Sequence, residues 1–192
     1  MSTLHSIILT SLSLAAAVGA AAQEAQNASS GHTDHGHHSS VWKDASPLVA
    51  KVRRATERFK DINAAVEDGW VRATPCVSGP NSGAMGVHFT KPERIGDGVL
   101  RGDQPEALVY EPGPGGKLRL VGVEFIELAE VWDAQKAAQP TLEGHLLNLV
   151  SAPNRYALPA FYELHVWAWE RNPNGSFADW NPHVTCERQA AE

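Results

Sequence analysis

A change of hydrophobic period at Gly69 constrains this chain more than any other feature. Before it, Leu48, Val52, Ala55, Phe59, Ile62 and Val66 recur at alternating spacings of four and three. That is the period of one amphipathic helix, whose apolar stripe faces a core. Ser46 can cap it, Pro47 suits its first position, and Gly69 can end it. Lys51, Arg53, Arg54, Arg58 and Lys60 then lie on a solvated side. After Gly69 the β-branched and aromatic runs at 84–89, 107–110, 117–126 and 162–169 read as strands. Gly79-Pro80, Pro112-Gly113-Pro114-Gly115-Gly116 and Asn172-Pro173-Asn174-Gly175 punctuate them as turns. A short helix is expected over 127–138 and a long, partly ordered connection over 140–155. One helix followed by a run of strands predicts an α+β fold: a long N-terminal amphipathic helix packed on an antiparallel β-sheet or partly closed barrel.

The ends of the chain bear on its compartment. Residues 1–22 carry no Asp, Glu, Lys or Arg, and an apolar run leads into Ala20-Ala21-Ala22. That pattern predicts a signal peptide cut before Gln23, despite a first segment without Lys or Arg. Its apolar stretch is shorter than the ~20 residues a membrane span needs, and no other segment approaches that length. Residues 23–45 have few large apolar side chains and are expected to form a flexible leader. That leader contains His32, His35, His37 and His38, a tract suited to loose capture of Zn, Cu or Ni. Residues 46–192 remain as one globular α+β domain, an ordinary size for a single core. Cys76 and Cys186 are the only cysteines. With export, and without a C-x-x-C spacing, they are expected to form a disulfide rather than to bind metal. The chain is therefore expected in the periplasm or outside the cell.

Composition excludes some partners. A net charge of −6 argues against nucleic acid, and the basic side of the first helix is read as a solvated face rather than a surface for an anionic partner. No phosphate-binding loop, dinucleotide fingerprint or nucleophile elbow occurs.

The chemistry is expected where polar residues interrupt apolar strands. Strict alternation through residues 118–126 places Glu124 on one face with Leu118, Leu120 and Ile126. A carboxylate there costs several kcal/mol to bury unless it is paired, hydrogen-bonded or on a metal. His88 stands in Met85-Gly86-Val87-His88-Phe89, where Gly86 lets a neighbouring backbone or ligand approach closely. His165 shares a face with Glu163, Trp167 and Trp169. If the three strands are neighbours, His88, Glu124 and His165 converge as a two-histidine, one-carboxylate set. Such a set suits zinc or copper, with iron a further option; two methionines offer little thioether for Cu(I). His145, Glu163 and His183 are candidates for a fourth ligand or an outer shell. The Trp-rich tail, which includes Trp167, Trp169 and Trp180, is expected to cover the core. Asn27 and Asn174 match glycosylation sequons, relevant only in a eukaryotic secretory pathway.

The runs Met85-Gly86-x-His88-Phe89, Val123-Glu124-Phe125 and His165-Val166-Trp167 are followed by Asn172-Pro173-x-Gly175-x-Phe177-Ala178-Asp179-Trp180-Asn181-Pro182-x-Val184-x-Cys186. Over roughly residues 50–187 the chain resembles a family of exported, mostly bacterial proteins that share a domain of unknown function. The resemblance implies export and brings no activity. Three functions then follow from residue chemistry: an exported metal-binding protein, a metal-dependent enzyme with Glu163 or Glu124 as general base, or a metal-free module for a small ligand or partner.

Overall fold

The computed structural model describes residues 46–189. The expected signal peptide and His-rich leader, with His32, His35, His37 and His38, lie outside the described residues.

The helical region starts as expected and then departs from one continuous helix. Ser46 Oγ accepts the Val49 N–H at 3.5 Å, and Pro47 opens α1 (Pro47–Thr56). A 3₁₀ turn follows (Glu57–Lys60), and Asp61, with extended backbone, interrupts the path. The Asp61 carboxylate accepts the Asn63 N–H at 3.0 Å and so caps a separate α2 (Ile62–Glu67). Local capping thus outweighs the stripe that runs through it. The break rotates the phase of burial: Leu48, Val49, Val52, Thr56, Phe59 and Ala65 are buried, whereas Val66 is exposed.

The rest is mostly antiparallel sheet. Its strands are β1 (Val71–Arg72), β2 (Val77–Gly79), β3 (Gly83–Thr90), β4 (Ala107–Pro112), β5 (Leu118–Leu128), β8 (Asn148–Val150) and β9 (Phe161–Val166). The order is β1-β3-β4-β5-β9-β8, with β2 also on the outer edge of β3. β6 (Thr141–Leu142) and β7 (His145–Leu146) form a separate hairpin, so the 140–155 connection is more ordered than its sequence suggests. A short α3 (Ala129–Gln135) follows β5. Among the described residues, no helix is long and apolar enough to cross a membrane.

The two faces of the sheet differ in kind. One carries Val87, Phe89, Leu108, Tyr110, Val123, Phe125, Leu164 and Val166, which join Leu48, Val49, Val52 and Phe59 in the main core. The other carries two smaller apolar clusters, Ala84, Val109, Val121, Trp167 and Val184 on one side and Ala107, Ile126 and Phe161 on the other. The tail returns across this second face. Asn181 bridges to Ala84, Trp167 Nε1 donates to the Ala178 carbonyl at 2.5 Å, and Val184 is buried. Cys76 and Cys186, separated by 110 residues, form a disulfide with Cα atoms 5.6 Å apart.

Strict alternation fails in β5. Val109 pairs with Gly122 but the next residue, Tyr110, pairs with Leu120, leaving Val121 as a bulge. Leu118 and Leu120 consequently pack toward the helices, while Glu124 and Ile126 face the tail side. Glu124 does not share a face with Leu118 and Leu120.

Candidate metal centre

The ladder places one row of residues across the sheet: Thr90 beside Ala107, Ala107 beside Glu124, and Glu124 beside His165. Directly paired residues project from the same face, so Glu124 and His165 are immediate neighbours. His88 starts two strands away, with β4 between it and Glu124. Two strand spacings are roughly 9–10 Å, which an imidazole and a carboxylate can span only over something small. Ala107, opposite Glu124, provides that low point. The backbone of β3 is drawn in at Gly86, whose φ is +120°; a Cβ there would lie 2.5 Å from the Tyr110 carbonyl oxygen. Gly86 thus lets the β4 backbone approach.

The result is convergence. His88 Nε2 lies 3.3 Å from Glu124 Oε2, and the rings of His88 and His165 are 5.9 Å apart, edge to face. Single ligand atoms from His88, Glu124 and His165 all lie within 4.8 Å of one another. Two donors about 2.0–2.1 Å from one ion at the tetrahedral angle stand about 3.3 Å apart. The His88–Glu124 spacing is that distance. All three side chains are buried. Thr74 Oγ1, which accepts the His88 backbone N–H at 3.1 Å, also lies 3.1 Å from His88 Nδ1. Nδ1–H can therefore donate to Thr74, leaving the Nε2 lone pair toward Glu124, as an outer shell orients a ligating imidazole.

Burial sets the charges. It lowers His88 to about 4, and burial reinforced by His88 lowers His165 to about 3. Both rings are neutral at pH 7. Burial also raises the Glu124 carboxyl well above the ordinary range, helped by a hydrogen bond and repulsion from Glu163. Glu163 is raised as well, mainly by its own burial. Neutral imidazoles and reluctant carboxyls leave the centre short of positive charge, a deficit that a cation can supply by displacing protons.

A second group of donors adjoins the first. Glu163, His165 and Asp179 also offer ligand atoms within 4.8 Å of one another. Glu163 Oε2 is 3.9 Å from His165 Nδ1, too far for a hydrogen bond. Asp179 comes from the returning tail, where Asn148 Nδ2 donates to it at 3.4 Å, and burial raises its carboxyl. Sequence reasoning missed Asp179. Its place in a polar turn segment suggests a cap, and only the tail's path across the sheet brings it to His165.

The other expected residues divide. Glu163 joins the centre. His145 does not: its ring stacks on Phe177 at 3.8 Å between centroids. Nor does His183, which is exposed and whose backbone N–H donates to Asn181. Neither belongs to a group of potential metal ligands among the described residues. A cavity of about 200 Å³ opens onto His88 and Glu124, walled by Thr90, Ile95, Ile126 and Phe161 among others. No family model matches the chain, and neither a curated protein nor a solved structure matches it.

Proposed function

We propose that this is an exported metal-binding protein whose His88, Glu124 and His165 hold a divalent transition ion, zinc or copper. One observation carries this reading: two neutral imidazoles and a carboxyl, all buried, bring ligand atoms within 4.8 Å of one another, with His88 and Glu124 at the spacing of two ligands on one ion. Export is supported by the signal-like residues 1–22, by the resemblance of residues 50–187 to an exported family, and by a cystine that is compatible with an oxidising compartment.

The reading is tested on the full chain carrying His32→Ser, His35→Ser, His37→Ser and His38→Ser, which removes the leader's imidazoles. Calorimetric titration with Zn²⁺ should show stoichiometric binding, and His88→Ala should weaken at least 100-fold the binding of the ion that His88 holds. A chain that stays empty with Zn²⁺ and Cu²⁺ overturns it.

A metal-dependent enzyme is the second reading, and the cavity beside His88 and Glu124 favours it. Catalytic zinc sites keep three protein ligands and one open position. Here the open position would face that mostly apolar cavity, with Glu163 close enough to Glu124 to exchange a proton with it.

A further inference from the structure

His165 belongs to both donor groups, and each of its ring nitrogens is buried without a hydrogen-bond partner among the described residues. That combination is uncommon. A histidine that ligates one ion ordinarily gives its other N–H to a carboxylate, a carbonyl or water, which fixes the ring. His88 can follow that rule through Thr74 Oγ1, 3.1 Å from its Nδ1, whereas His165 has no such outer partner among the described residues. Glu163 Oε2 is buried and equally unanswered. At 3.9 Å from His165 Nδ1 it is too distant for a hydrogen bond, yet within the ~4.2 Å that two donors on one ion can span. Asp179 completes that side from the tail.

We propose that the centre holds two divalent metal ions with the His165 imidazole between them. One ion takes His88, Glu124 and one nitrogen of His165. The other takes Glu163, Asp179 and the remaining nitrogen of His165. The proposal rests on the metal-binding reading above and extends it from one ion to a bridged pair. Charge supports it. With Glu124, Glu163 and Asp179 ionised and His165 present as imidazolate, four negative charges meet two divalent cations. The buried pair is then neutral, which is what a low-dielectric site requires. The ring proton, and any proton a carboxyl carries, leaves for solvent as the ions enter, and nothing is oxidised or reduced.

The alternative arrangement has Glu163 as a fourth ligand of a single ion, with Asp179 idle. Native mass spectrometry of the leader-substituted full chain with Zn²⁺ separates them. Two ions per chain are expected, falling to one in Asp179→Asn and to one in His88→Ala. The Cu²⁺-loaded chain should give a paramagnetic signal well below its copper content, because an imidazolate bridge couples the spins, and Asp179→Asn should restore it. Asn keeps the size of Asp179; if the variant does not fold, the ion count and copper spectrum of the unsubstituted centre decide. One ion per chain, lost in His88→Ala and indifferent to Asp179→Asn, overturns the second ion but leaves the first reading standing. Two ions with neither depending on Asp179 overturns the bridge. No ion at all overturns both readings.

Discussion

Glu106 lies just before β4, buried, with its Oε2 accepting the Ile126 N–H at 3.0 Å. Burial raises its carboxyl to about 8, so it is protonated in the folded protein at neutral pH. In the unfolded chain it ionises near 4.5. The folded state therefore holds the proton more tightly, and the stabilisation is complete below pH 4.5. It is lost at up to about 1.4 kcal/mol per pH unit as pH rises toward 8. Glu106→Gln keeps the acceptor oxygen and cannot ionise. Its stability relative to the parent, read by urea unfolding, should rise between pH 5 and pH 8 by on the order of a few kcal/mol. Parallel curves would show Glu106 ionised in the fold. The two buried imidazoles act with the opposite sign. Held at about 4 and 3, His88 and His165 contribute stability above 6.5 that disappears as pH falls through those values.

At the level of elements, much was legible because strands betray themselves by composition. The runs at 84–89, 107–110, 117–126 and 162–169 all contain real strands, and the three polar interruptions mark the site. What the sequence could not give was phase and pairing. The helix breaks because a capping carboxylate at Asp61 competes locally with an apolar stripe, and the stripe shows only the stripe. Leu118 and Leu120 change sides because a bulge leaves no composition signal at Val121. Asp179 was invisible because its partner, His165, is brought to it by tertiary return rather than by spacing. Gly86 is where element geometry meets the site. Gly86→Ala forces a Cβ against the Tyr110 carbonyl at an unfavourable φ, costing at least about 1–3 kcal/mol. Because β3 carries His88 two residues on, metal uptake should fall along with the thermal midpoint. Unchanged uptake in a destabilised variant would mean that β3 shifts without moving His88.

For the whole molecule, the disulfide closes a loop across most of the folded chain. Cys76→Ser with Cys186→Ser should cost about 4–5 kcal/mol by the chain-entropy account of a loop of 110 residues. The same pair should lose more ion affinity at Asp179 than at His88, since Asp179 rides on the segment the cystine anchors. Comparing Zn²⁺ counts of oxidised and cysteine-free chains checks this. Equal loss at both positions would indicate general loosening instead.

The bulge in β5 also shapes how this protein can change over generations. On either side of Val121 the strand is read in opposite phase, with Leu118 and Leu120 toward the helices before it and Glu124 and Ile126 toward the tail after it. A point substitution at Glu124 leaves that arrangement of the backbone intact and changes only the group presented beside His165. Loss of one codon between Leu120 and Glu124 would leave two residues opposite Val109 and Leu108, removing the bulge while Leu120 and Glu124 keep their pairings and faces, whereas a gain would add a second residue without a partner on β4. The one extra residue at Val121 is thus what lets a single strand serve the main core at Leu120 and stand beside His165 at Glu124.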